Sequence, residues 1–556
     1  MSYAILGIVG GLASGTVVLA FERVIAGIAG LWGVGAGGEN FEALPLWALF
    51  ALPAGGALTL GLCLSLIKPE DRETGVVHVL SRMNSHYGVL SIKNALVQFI
   101  GGAFALATGQ SGGREGPGVH LGAAINSQLG QQLGLPNNSL RVLIACGTAG
   151  GIAAAFNTPL AGVIFAMEVI IAEYTVVGFI PIILAAVSAS AVSQTLSGGT
   201  ALFLIPEVQL NSLWEIPYII LLGVSCGIAM AAFISISKLS AKILHWPITV
   251  RFTLAGIVTG GLAILSPEIL GIGYDTLNLV LHEELAITLL LTIAACKIIA
   301  TSFSAGVGLP IGVIGPSLII GACIGGVLGL LGQIVVPDMA SDYTLYIIIG
   351  MAAAMGAILN APLAAILAVI ELTQSVTLAM PALLAIVAAT LTNTGAFRQR
   401  SAHQTVLKQL QRLVPNDPLN QLLHRTDVSS VMEESVMKVP ALFQNSTAEP
   451  VLKTIPTWCL VERESEPLYL ISGEELIQWL SENPSDEAAD LTEASIRRWS
   501  ISDVPVQATL RQALDSMRSK MAEAACIYGR TPSGKRVLRG IVTRTTIEQF
   551  SLSGLS

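Results

Sequence analysis

Charge is scarce in this chain. Only 12% of its 556 residues are Asp, Glu, Lys or Arg, about half of the roughly 25% usual in globular domains. The shortage is uneven. Of the 66 charged residues, 37 lie in positions 397–556 and 29 in the first 396, or about 23% against about 7%. The first part is therefore too poor in charge for a water-soluble globule and reads as embedded in a bilayer; the second reads as soluble. The formal net charge of −8 excludes a nucleic-acid binder that works through a basic surface. Seven cysteines, at 63, 146, 226, 296, 323, 459 and 526, are scattered without ligand-like spacing, which argues against a zinc site or a disulfide framework. HExxH and GxxxxGK[ST] are missing, so neither a metalloprotease nor a P-loop enzyme is indicated. The start, MSYAILGIVGGLASG, lacks the basic residues of a cleaved signal peptide and reads as a retained first helix.

What is present is apolar sequence in long runs. A span needs about 20 predominantly apolar residues. Candidates lie near 3–35, 44–67, 90–108, 140–171, 177–198, 214–240, 250–271, 285–303, 310–335, 344–372 and 377–396. Several are too long or too broken for upright crossings. The 56 glycines recur inside them, as close helix packing and mid-membrane helix breaks require. After the last run comes FRQRSAHQTVLKQLQR, with Arg398, Arg400, Lys408 and Arg412 and no acid. The positive-inside rule then predicts a cytoplasmic tail.

The membrane part repeats itself. GTAGGIAAAFNTPLAGVIFAMEV from Gly147 matches GMAAAMGAILNAPLAAILAVIEL from Gly350, which sets Asn157-Thr158-Pro159 against Asn360-Ala361-Pro362 and leads to Glu168 and Glu371. Upstream, GPGVHLGAAI from Gly116 matches GPSLIIGACI from Gly315. Two matched segments in the same order predict a duplication, with halves near 1–198 and 214–396. The repeat alone leaves open whether the halves run parallel or inverted.

The first N–H groups of a helix lack intrahelical partners. In hydrocarbon they cannot turn to water, and leaving them bare costs several kcal/mol each. An anion satisfies them, and the helix dipole favours it. Glycine admits close approach of the backbone, and proline in the first turn gives up only an orphan N–H. Gly113-Arg114-Glu115-Gly116-Pro117 and Gly312-Val313-Ile314-Gly315-Pro316 both fit, and together they predict one shared anion site. Glu115 is itself an anion. It can fill that site, or leave it when protonated, and intramembrane acids are functional candidates by default. The competing reading pairs Glu115 with Arg114. Arg114 alone reads better as structural.

These motifs resemble the CLC chloride channels and chloride/proton antiporters. The resemblance rests on GREGP (113–117), AAAFNTPLAGVIFAMEV (153–169) and GVIGP (312–316), and spans most of residues 1–395. It implies an all-α polytopic membrane domain over 1–396, built as an inverted repeat of broken, tilted helices. It also implies a homodimer with one anion pathway per subunit and Glu115 as outer gate and proton acceptor. The anion is then expected at Thr74, Gly75, Gly113, Arg114, Gly116, Gly312, Val313, Ile314 and Gly315.

The sequence departs from the family pattern in four places. The GSGIP turn reads Glu73-Thr74-Gly75-Val76-Val77, so Thr74 stands for the serine and the proline is gone. Isoleucine replaces phenylalanine in GxFxP. The coordinating tyrosine, expected near 402–404, is replaced by Ala402, His403 and Gln404. His403 is a candidate donor in its place, against the preferred reading of an exposed linker histidine. The inner glutamate that follows the Glu168 position in antiporters is Val169. Val169 favours passive chloride flow. The alternative is proton-coupled exchange through another acid such as Glu173, which otherwise reads as a solvated residue at a helix end. Another small anion, such as fluoride, nitrate or bicarbonate, is a further alternative. So is a membrane-anchored sensor that has lost transport.

Two other polar residues stand out. His120 could tune Glu115, against the preferred reading of a packing histidine. Lys297 could raise the potential of a vestibule or snorkel to the interface. Beyond a linker at 397–423, segments 424–482 and 498–553 share a strand/helix alternation and resemble a pair of CBS domains, a small α/β unit common on CLC tails. Such pairs bind adenine nucleotides through a Ser/Thr and an acid three residues on. Ser472 with Glu475 offers this in the first copy. The second has Thr543 but Thr546 in place of the acid. The simpler expectation is a structural tail with no cofactor.

Overall fold

In the computed structural model the described residues are 2–34, 39–85, 88–172, 176–197, 208–283, 285–337, 340–412, 422–423, 426–443, 455–463, 466–483, 489–530 and 536–553. The chain divides into two units, one of residues 1–133 and 140–413, the other of 134–139 and 414–556.

The first unit is helical. Its helices are α1 (Ser2–Leu31), α2 (Leu46–Ser65), α3 (Gly75–Ser85), α4 (Ile92–Ala107), α5 (Glu115–Gln132), α6 (Asn137–Phe156), α7 (Pro159–Phe165) and α8 (Val176–Ser197), followed by α9 (Ile216–Ala241), α10 (Ile248–Ala263), α11 (Tyr274–His282), α12 (Ile287–Gly306), α13 (Ile314–Val335), α14 (Tyr343–Leu359), α15 (Pro362–Thr373), α16 (Ala379–Leu391) and α17 (Ala402–Gln409). Among the described residues, eight helices are long and apolar enough to cross a bilayer.

The duplication is visible helix by helix, α1–α8 against α9–α16. α1 packs on α8 as α9 packs on α16, and α7 packs on its counterpart α15. Matched glycines set the closest crossings. A Cβ on Gly122 would fall 2.1 Å from the Gly147 carbonyl oxygen, and one on Gly147 would fall 2.1 Å from that of Gly122. Gly321 and Gly350 meet in the same way across α13 and α14, at 2.2 Å each. Backbone therefore rests on backbone at both crossings, the small-residue packing that membrane helices use.

The Asn-x-Pro motif ends one helix and starts the next. Asn157 and Asn360 take left-handed backbone at φ +56° and +53°, a conformation asparagine tolerates better than most residues. Pro159 and Pro362 then open α7 and α15. The exposed N–H groups at these starts are met from the opposite half. Leu160 and Ala161 each donate to the Glu371 carboxylate at 2.8 Å. Leu363 and Ala364 donate to Glu168 at 3.4 and 2.9 Å. Glu168 and Glu371 thus satisfy helix-start donors of the opposite half.

The halves also join backbone to backbone. Gly113 N–H donates to the Gly312 carbonyl and Gly312 N–H to that of Gly113, both at 2.8 Å. Equivalent residues exchanging equivalent bonds imply a local twofold, as an inverted repeat requires.

α17 falls within the stretch read from sequence as linker, and Ala402, His403, Thr405 and Leu407 on it are buried. The second unit is α/β. Its strands are β1 (Val436–Pro440), β2 (Leu442–Phe443), β3 (Trp458–Arg463), β4 (Glu466–Ser472), β5 (Ala489–Asp490), β6 (Ile501–Pro505), β7 (Ala524–Arg530) and β8 (Arg536–Thr543), with helices α18 (Gly473–Glu482), α19 (Leu510–Ser519) and α20 (Arg544–Ser553). Sheets β1-β3-β4 and β6-β7-β8 share one plan, a parallel pair followed by an antiparallel one. A helix follows the last strand of each. β2 and β5 form a short antiparallel pair.

Candidate anion site

The starts of α5 and α13 meet where Gly113 pairs with Gly312. Glu115 is the first residue of α5 and is fully buried. Its Oε2 accepts the Gly315 N–H at 3.2 Å. Its Oε1 accepts the Tyr274 hydroxyl. A carboxylate therefore sits where the start of α13 offers unpaired N–H groups, the place expected for a permeant anion. The turns have no room for side chains. A Cβ on Gly113 would lie 2.2 Å from the Glu115 carboxylate, and one on Gly116 would lie 2.8 Å from the Gly312 Cα.

Arg114 does not pair with Glu115. Its Nε lies 3.3 Å from the Glu22 carboxylate on α1, and its Nη2 donates to the Ala155 carbonyl on α6 at 3.2 Å. Its guanidinium also stacks on the Tyr274 ring at 5.1 Å. The arginine braces the tyrosine that bonds Glu115. Glu39, in the loop between α1 and α2, accepts the Asp275 N–H at 3.1 Å and caps α11 beside Tyr274. Burial pushes the Glu39 carboxyl up to about 7, against the pull of Arg114.

Beside the starts of α5 and α13 lies a cavity of about 300 Å³. Thr74, Gly75, His78, Gly116, Gly312 and His403 are among the residues that line it. Gly75 takes left-handed backbone at φ +76° where the chain enters α3. Its N–H donates to Gln98 Oε1 at 2.7 Å, and Gln98 Nε2 donates to the Pro310 carbonyl at 2.9 Å. Gln98 thereby ties the start of α3 to the approach to α13. His403 is no exposed linker residue. It is 7% exposed, held in the first turn of α17, where Ser401 caps the helix by accepting the Gln404 N–H. His403 Nδ1 has no hydrogen-bond partner among the described residues. The cavity thus carries a polar imidazole on α17 and a hydroxyl at Thr74.

Residues 55–394 match the family model described as voltage gated chloride channel. The chain belongs to the voltage gated chloride channel family. It is 32% identical over 351 residues to a protein of Ralstonia nicotianae named as a ClcB-like chloride channel protein, covering 62% of this chain and 82% of that one. It is 30% identical over 392 residues to the H(+)/Cl(−) exchange transporter ClcA of Vibrio cholerae, covering 68% and 82%. Among solved structures, a slow cyanobacterial Cl−/H+ antiporter aligns with a TM-score of 0.66 at 20% identity, over 74% of this chain and 98% of that one. A eukaryotic CLC transporter aligns with a TM-score of 0.60 at 22% identity, over 98% and 97%. The fold is therefore that of a CLC membrane protein, polytopic and built for anion transport.

Within that CLC frame the expected residues divide. Glu115, Gly113, Gly116, Gly312 and Gly315 meet at one point, and Val313 and Ile314 lead into α13 there. Thr74, Gly75 and His403 line the cavity. Val169 packs against the apolar core. Glu173 lies outside the described residues. Lys297 does not snorkel; it is fully buried and donates to the Ile269 carbonyl at 3.2 Å. In the second unit Ser472 precedes α18 and Glu475 is exposed on its first turn. Thr543 accepts the Thr546 N–H at 3.1 Å, and the two hydroxyls are 2.8 Å apart.

Sequence reasoning missed Tyr274, Gln98 and His78. For Tyr274 a signal existed. Gly75 and Gly273 occupy corresponding places before α3 and α11, and both take left-handed backbone. Extending the repeat to that glycine would have placed Tyr274 at the start of a broken helix facing the site.

Proposed function

We propose that this protein exchanges chloride for protons across the membrane, with Glu115 as a movable gate that competes with chloride for the ends of α5 and α13. The observation that carries this is the Glu115 carboxylate lodged between the Gly315 N–H and the Tyr274 hydroxyl. A negative side chain in that position excludes a second anion. Protonation discharges it and weakens its hold on donors that favour charge. Anion entry and proton uptake are then linked on one side chain. Val169 removes the usual inner acid and by itself favours passive flow. The similarity to an exchange transporter supports coupling instead. Chloride is the substrate expected from the relatives' names; fluoride, nitrate and bicarbonate are competitors to rank in the same assay.

The tail we read as a CBS pair, supported by its two copies of one sheet plan. We place it in the cytoplasm because of the basic residues that follow the last span. Thr543 is already engaged in capping α20, which weighs against nucleotide binding there and for a structural role. A homodimer is the assembly that the CLC fold implies.

Proteoliposomes decide the transport mode. A chloride gradient should drive protons uphill in the native protein, and Glu115→Gln should abolish that while chloride still flows. Chloride flux without proton movement would restore the passive reading; no anion flux at all would leave only the sensor reading.

A further inference from the structure

Coupled exchange needs a proton to reach Glu115 from the inner side, and Val169 offers no group to carry it. The structure holds two buried imidazoles in the region between the inner cavity and α5. His78, on α3, and His120, on α5, are 2% and 0% exposed. His78 Nδ1 and His120 Nε2 are 2.9 Å apart. Arg82 Nε donates to His78 Nε2 at 3.1 Å. An arginine cannot be the acceptor there, so this bond fixes the direction of the chain. His78 Nε2 accepts, His78 Nδ1–H donates to His120 Nε2, and His120 carries its remaining proton on Nδ1.

That Nδ1 has no hydrogen-bond partner among the described residues. A buried donor left without a partner is costly, and a water beside it removes the cost. His78 lines the cavity together with the Gly116 backbone, next in sequence to the gate. His120 follows Glu115 by five positions on the same helix, about 7.5 Å along its axis. The charged groups facing the pair are Arg82 and Glu73 on the cavity side. The Glu73 carboxylate lies 3.7 Å from His78 Nε2 and also pairs with Arg412. His403 on α17 lines the same cavity.

We infer that His78 and His120 form the inner proton route to Glu115, replacing the acid that Val169 lacks. The inference rests on the exchange reading above. A proton from cavity water enters at His78 Nε2, displacing the Arg82 hydrogen bond. His78 passes its Nδ1 proton to His120 Nε2, and His120 releases its Nδ1 proton through water to the Glu115 carboxylate. One proton enters and one leaves, and no net charge stays on the rings. Glu115 becomes a neutral acid and leaves the anion site. Proton exchange of each ring with the water beside it, while the two rings are turned apart, restores the starting tautomers.

The test is the ratio of protons to chloride moved by the full chain in proteoliposomes. Native protein should couple. His120→Gln keeps a side chain that can hydrogen-bond His78 but carries no proton onward; it should lower proton uptake relative to chloride by about tenfold or more. His78→Gln should do the same from the cavity end, and it serves alone if His120→Gln does not fold. Native-like coupling in either folded variant overturns the route and leaves exchange standing. Chloride flux without protons in the native protein overturns exchange itself, and the route with it.

Discussion

Replacing Tyr274 with phenylalanine removes one hydroxyl and little else. The ring under Arg114 remains, so the stacking at 5.1 Å is kept. What is lost is the hydrogen bond to Glu115 Oε1. Hydrogen bonds to charged groups contribute about 1.5–3 kcal/mol. Because this one exists only while Glu115 fills the site, its loss falls on the closed state alone. The open fraction should rise roughly 10- to 150-fold wherever the closed state dominates, until another step limits. Initial chloride efflux from proteoliposomes, read with a chloride electrode, should therefore be faster for Y274F than for the native protein. The ceiling is the rate of Glu115→Ala, which has no gate to hold. In the E115A background Y274F should change nothing, and that missing effect closes a double-mutant cycle. Native-speed efflux in Y274F, with E115A fast, would refute the claim that the tyrosine holds the gate. So would an equal effect of Y274F with and without Glu115.

Gly321→Ala puts a methyl 2.2 Å from a backbone oxygen of α14. Neither backbone can yield, so the cost should reach or exceed the usual 1–3 kcal/mol of overpacking, seen as loss of monodisperse protein in detergent. Gly261→Ala, where nothing lies within 4 Å, should be neutral or stabilising. Glu371→Gln weakens two charge-assisted bonds at the start of α7; the detergent-solubilised protein should lose about 1.5–3 kcal/mol and melt lower. Glu39 supplies a pH dependence. Its folded pKa of about 7 lies above the ordinary 4.5, so its stabilising contribution is complete below 4.5 and is lost as pH rises through 7. The melting temperature should fall between pH 5 and pH 8, and Glu39→Gln should flatten that fall.

Much of the membrane unit was legible because its signals are local. Left-handed Asn157 and Asn360 followed by proline, and the glycine turns before Pro117 and Pro316, encode helix ends in a few residues each. The matched glycines that let α5 cross α6 and α13 cross α14 lie within the repeat itself. What was hidden depends on distant partners. Tyr274 meets Glu115 across 159 positions of sequence, and only the adjacent Gly273, read as the counterpart of Gly75, hints at it. Gln98 and His78 sit among apolar neighbours on short helices, where one polar residue reads as packing. His403 follows a basic, polar stretch that suggests an exposed linker. Its burial comes from α17 packing on α3 and α9, a tertiary fact that local composition cannot carry.

The central claim is that the Glu115 carboxylate and the transported anion occupy one place. Crystals grown in bromide give the most direct test, since bromide is located by its anomalous scattering. In Glu115→Gln, a bromide peak should lie within hydrogen-bond reach of the Gly315 N–H; in the native protein, with Glu115 as described, that peak should be missing. Bromide at that position in both proteins, with the native carboxylate unmoved, would contradict the account.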